Sequence, residues 1–160
     1  MSAYQSPTLA IRDALVSILS AMTYDAGSGA EPAFALATAD PRAQTNQDPY
    51  CIVWVVGGTE AQEGVGYDDR TSKFVVSIVM QLEGAERTQI QTADYMTNLV
   101  DLTIQTLAVA DFTGALSTFQ QVVNTYIVQP GEFKTDIYES KTGSLLITEL
   151  NVSVRWQYNV

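Results

Sequence analysis

The sequence predicts an α+β domain, a mainly antiparallel β-sheet with two amphipathic helices packed on one face. Three observations lead there. In the final stretch, SLLITELNVSVRWQYNV, one parity is apolar (Leu146, Leu150, Val152, Val154, Trp156, Tyr158, broken by Thr148), while Glu149, Asn151, Ser153, Arg155 and Gln157 fill the other. That is the period-two pattern of a strand with one buried face, and the patterned run from Leu145 to Tyr158 would extend roughly 45 Å at about 3.3 Å per residue. Two other segments carry apolar residues at helical spacing behind recognisable start signals. The apolar β-branched runs between them follow one another through polar turns, which favours hairpins over alternating β-α-β units.

In chain order, Ser6-Pro7 opens a helix of about Pro7 to Met22, since Ser can cap exposed amides and Pro is tolerated at the first helical position. Ile11, Leu15, Ile18, Leu19 and Met22 form its apolar stripe. Asp25 to Gly29 (DAGSG) ends it. Glu31 to Asp48 reads as a polar loop containing one weak strand, FALAT. Tyr50 to Val56 (YCIVWVV) and Phe74 to Leu82 (FVVSIVMQL) are core strands, joined by a long acidic, glycine-rich tongue, GGTEAQEGVGYDDRTSK. Thr88 with Gln91 matches a capping box and opens a second helix to about Ala108, with Ala93, Met96, Val100, Ile104 and Leu107 along one stripe. Asp111 to Phe119 is a connector and Gln121 to Val128 a further strand. The polar segment Pro130 to Ser144 reads as a projecting hairpin into the last strand. Trp54 and Trp156, each on the apolar parity as read here, are expected core anchors.

A chain of 160 residues fits one domain, and a hydrophobic fraction of 46% with 16% charged residues places it among globular proteins. Eighteen acids against eight bases give a net charge of −10, which argues against a surface built to neutralise phosphates. The start of the chain lacks a basic n-region and no run approaches the roughly 18 apolar residues of a membrane span, so a soluble protein used without export is expected. Cys51 is the only cysteine and there is no histidine, which excludes an internal disulfide and the common zinc ligand sets. Within YCIVWVV, Cys51 reads as a buried small hydrophobe.

The same absence of histidine removes the Ser-His-Asp and Cys-His forms of nucleophilic catalysis. Glu60, Glu63, Asp68 and Asp69 form an acidic cluster that could supply a carboxylate pair or hold a divalent cation. They lack the alternating pattern of a calcium loop, however, and fit a solvated tip better. Gly64-Val65-Gly66 begins like a phosphate loop, but Asp69 stands where its third glycine would fall. Asn151-Val152-Ser153 matches a glycosylation sequon inside a strand. No catalytic, cofactor or metal site is expected.

The helix SPTLAIRDALVSIL, the strand YCIVWVVGG leading through the acidic segment to KFVVSIVMQL, the helix ADYMTNLVDLTIQTL and the closing LLITELNVSVRWQY together resemble the tail terminator proteins of long-tailed bacteriophages. The likeness covers most of the chain, as a single domain over 1–160, and lies in the order and patterning of elements. It implies a structural, non-enzymatic virion protein of the phage neck. Such a subunit forms a homo-oligomeric, hexameric ring on the last ring of the tail tube, stops tube polymerisation and presents the head-tail joining surface. The implied partners are the tail tube protein, a head-completion or connector protein and, in a contractile tail, the sheath. DNA passes through the bore without specific binding, and no membrane is involved. Assembly would take place in the host cytoplasm.

The resemblance further implies that Glu60, Glu63, Asp68 and Asp69 face the lumen or the ring interface, where carboxylates repel DNA phosphates. Glu132, Phe133, Lys134 and Tyr138 would belong to an inter-subunit hairpin, and the outer end of the long last strand would extend a neighbour's sheet or pack on the tube. A head-tail connector, a tail-completion adaptor or a tail tube subunit gives a similar order of elements. The reading from another class is an enzyme using the acidic tongue.

Overall fold

The computed structural model describes residues 6–43, 47–62, 66–82, 88–119, 122–140 and 143–159. Helix α1 (Pro7–Ala21) starts at the expected proline. Ser6 supplies its carbonyl to the Ala10 N–H (3.1 Å) and makes no side-chain cap. DAGSG does more than end this helix. Strands β1 (Thr23–Asp25) and β2 (Ala30–Pro32) pair antiparallel around it. Asp25 Oδ1 accepts from the N–H groups of Gly27 (2.7 Å) and Gly29 (3.2 Å), both glycines having positive φ.

The main sheet holds β3 (Leu36–Thr38), β4 (Tyr50–Gln62), β5 (Tyr67–Gln81), β6 (Val122–Ser140) and β7 (Gly143–Asn159) in the order β3-β4-β5-β7-β6. Short β3 runs parallel to β4, and every other neighbour is antiparallel. Between β5 and β6 lie α2 (Gln89–Ala108) and a one-turn helix α3 (Thr113–Leu116), the latter inside the connector whose structure the sequence leaves open. The capping box of α2 forms in both directions: Gln91 N–H donates to Thr88 Oγ1 (3.2 Å), and Thr88 N–H donates to Gln91 Oε1 (2.9 Å). The fold is thus α+β and mainly antiparallel sheet.

One cluster makes the core. Ile11, Leu15 and Leu19 of α1 and Met96, Leu99, Val100 and Leu107 of α2 meet sheet residues that the strand register places on a single face. These run through Cys51 and Val53, Phe74 to Met80 at even positions, and Leu150 to Trp156 at even positions. Thr148, the one break in the apolar parity of the last strand, is fully buried there and hydrogen-bonds Thr135 on β6 at 2.7 Å. A hydroxyl is tolerated in this layer because its neighbour satisfies it.

Three expectations are corrected. The acidic tongue is not a loop: β4 runs on to Gln62 and β5 begins at Tyr67, so most of the segment is paired sheet. Likewise the strand expected over Gln121 to Val128 does not stop there: it runs on through Pro130 as a nineteen-residue β6, whose pairing with β7 up to Ser140↔Gly143 makes the expected hairpin. Polar composition misled in both places, because a sheet that leaves its helices behind has two wet faces and needs no apolar parity. Third, Trp54 is 40% exposed and lies opposite Val75, on the face away from the helices, whereas Trp156 is buried as expected. Cys51 on β4 has the core parity, and Trp54 is offset from it by three.

Candidate functional site

The seventeen residues of β7 extend about 56 Å at about 3.3 Å each, whereas the twenty of α2 extend about 30 Å at about 1.5 Å each. Strand therefore projects beyond helix. The joined ends of β4 and β5 lie where Tyr67 meets Asn159, and those of β6 and β7, Ser140 and Gly143, at the opposite end of the sheet.

At the β4–β5 tip, a bulge between Val55 and Gly57 re-aims the outer part of β4. Gly58 follows it, so close to β5 that an added Cβ would stand 2.7 Å from the Thr71 carbonyl oxygen. Beyond this point the helix-side parity carries Glu60, Asp68, Arg70, Trp156 and Tyr158. Ser72 anchors the group from below: its hydroxyl accepts from Trp156 Nε1 (3.0 Å) and bonds Thr8 Oγ1 of α1 (2.8 Å). The Arg70 guanidinium lies 5.8 Å from the Trp156 ring centre, and the rings of Trp156 and Tyr158 are 5.4 Å apart. Tyr158 donates its hydroxyl proton to Glu60, with Asp68 Oδ2 3.4 Å away. The hydrogen bond to Glu60 comes first in pushing the phenol up to about 12, followed by burial and the nearby negative charges, with Arg70 opposing.

The acids expected to act together are divided by the pleat. Glu60 and Asp68 belong to the helix side. Asp69 points to the other face, is 4% exposed, and forms an ion pair with Arg155. Its charge is met within the chain, which no spacing rule could show, because Arg155 lies eighty-six residues further on. Glu63 lies outside the described residues. Among the described residues no group of three His, Cys, Asp or Glu side chains is placed to hold a metal ion. An open cleft of about 440 Å³ separates the start of α1 from the hairpin, lined by Ser6, Thr8, Gly57, Glu60, Arg70 and Ser72. Hydroxyls, main chain and the opposed charges of Glu60 and Arg70 share this lining with the Val55 side chain, so it is polar and apolar in similar measure.

On the second hairpin Glu132, Phe133, Lys134 and Tyr138 are all exposed, and Lys134 pairs with Asp136 at 3.2 Å. By register Phe133 and Ile137 have the helix-side parity, opposite Leu150 and Leu146, and Tyr138 the other, opposite Leu145. Phe133 borders a small apolar groove of about 160 Å³ against Met96 and Val100 of α2.

The outer strands carry a signal that the sequence reading missed. Trp54, Val55 and Val56 on β4 and Phe133, Ile137 and Tyr138 on β6 are all exposed large hydrophobics. The sequence held a sign of it: Trp54-Val55-Val56 is apolar on both parities, which a strand with one wet face does not need.

No helix among the described residues is long and apolar enough to cross a membrane. No protein-family model matches the chain, and no curated protein matches it either.

Proposed function

We propose that this chain is a structural ring subunit of a bacteriophage neck, a tail terminator that caps the tail tube and presents the surface to which the head joins. One observation carries the reading: a five-stranded sheet whose strands overrun their helices, with long β6 at one edge and long β4, flanked only by three-residue β3, at the other, both bearing exposed apolar side chains. The longest elements of the chain form projecting edges and tips, the parts of a sheet that offer docking surfaces. The order of elements resembling terminator proteins supplies the partners: further copies of the chain, the tube protein, a head-completion protein, and DNA passing through the bore. The net charge of −10 suits a conduit that must not hold phosphates. Among the described acids of the first tip, Glu60 is the exposed one and best serves this purpose, since Asp69 is neutralised by Arg155.

A tail tube subunit is the second reading, favoured by the length of the β6–β7 hairpin. The two separate cleanly. Added to polymerising tube protein, a terminator stops growth and caps tube ends in negative-stain images, and its deletion from the phage leaves headless particles with overlong tails. Co-polymerisation into the tube wall would favour the second reading. A chain that neither forms rings nor binds tubes would overturn both.

A further inference from the structure

We propose that a second copy of this chain docks edge to edge. The outer edge of β4 in one copy continues the sheet along β6 of the next, in the register that sets Trp54 against Tyr138 and Val55 against Ile137. The number of copies rests on the ring reading above; the pairing rests on the following geometry. β6 is the last strand of the sheet, and β3 covers β4 only at Tyr50, Cys51 and Ile52, so from Val53 onward β4 has no strand on its outer side among the described residues. Successive neighbours from β4 to β6 are antiparallel, which makes β4 and β6 themselves opposite in direction. Placed side by side they continue the antiparallel alternation unbroken. Because the two edges differ, the contact is head-to-tail, the kind that repeats from copy to copy and makes a ring when its rotation closes, a filament when it does not.

The side chains choose the register. Trp54 and Tyr138 share the face away from the helices, and Val55 and Ile137 share the helix face. In an antiparallel pair, opposed residues share a face, and the sum of their numbers is constant; setting Trp54 against Tyr138 therefore sets Val55 against Ile137. Four large side chains, each 40–59% exposed in the isolated chain, are covered in one step. The stagger fits as well. Within one copy the row Trp54–Val75–Asn151 reaches β6 between Pro130 and Phe133. Tyr138 lies about six residues further on, so each copy is displaced by about 20 Å along the strands for about 19 Å across four of them. The resulting inclination of about 45° is close to the roughly 35–45° strand tilt of closed barrels.

Two double variants test this, since Lys on an edge strand blocks pairing without entering the core: Trp54→Lys with Val55→Lys, and Ile137→Lys with Tyr138→Lys. Circular dichroism and thermal unfolding verify that each folds. Each alone is expected to be monomeric in sedimentation at concentrations at least roughly tenfold above those at which the unmodified chain assembles. Mixed one to one, they should form a dimer of one copy of each and nothing larger, because one sound β6 edge and one sound β4 edge remain. Separately, Val55→Cys and Ile137→Cys chains mixed under mild oxidation should form a disulfide between them, whereas Val55→Cys with Lys134→Cys should not. Rings that persist in the double variants, or a mixture that stays monomeric, overturn the edge pairing and leave the ring reading in place. An unmodified chain that stays monomeric at all concentrations and on tubes overturns both.

Discussion

Ser72 is a small residue with a large task. Buried on β5, it satisfies the Trp156 indole N–H and ties the start of α1 to the sheet through Thr8. Ser72→Ala would leave that N–H enclosed without a partner, so we expect a loss of about 1–3 kcal/mol in urea unfolding. Trp156 fluorescence should report the same transition. Tyr158 offers a pH test. With its phenol pushed up to about 12 by Glu60, the folded chain keeps a proton between about pH 10 and pH 12 that an unfolded tyrosine has lost. This stabilisation is whole below about pH 10 and disappears as pH climbs through about 12. Absorbance titration near 295 nm should show one tyrosine ionising late, and Glu60→Gln should bring its midpoint down. Burial also pushes the Cys51 thiol up to about 12, so a thiol reagent should label the native chain only at the rate at which it unfolds. At this scale the sequence foretold Cys51 and Trp156, which follow from parity and composition. It did not foretell the partners of Ser72, Asp69 or Tyr158, each contributed by residues more than sixty positions away.

Among the elements, both long helices were legible to within a residue or so, because capping and a 3.6-residue period are local signals. The core portions of the strands were legible for the same reason. Their outer portions were not, since a strand wet on both faces shares its composition with a loop, and the pairing that distinguishes them is non-local. Gly58 shows how closely the outer hairpin is built. Gly58→Ala drives a Cβ against the Thr71 carbonyl and should cost roughly 1–3 kcal/mol, with loss of amide protection over the hairpin. Gly57→Ala, one residue away in open space, is the control and should be near neutral in the same hydrogen-exchange experiment.

For the whole molecule, charge and shape pull against each other. A chain of net charge −10 repels its own copies, while its outer strands display apolar side chains that gain by being covered. Self-association should therefore strengthen as salt rises from about 0.05 to 0.5 M, where the screening length falls from above 10 Å to below 5 Å. Sedimentation across that range checks it, and a weakening with salt would point instead to a contact made of ion pairs. The composition disclosed the repulsion. The attraction required the sheet order, because nothing in a linear chain says which strands end up outermost. The joining of the two hairpins at opposite ends of the sheet carries one more consequence. A closed circle of such subunits, all facing one way around it, has unlike rims: one bears Glu60, Asp68 and Tyr158, the other Tyr138 and Glu139. An object of that kind has an up and a down, and can meet two different partners along one axis with no second domain to tell them apart.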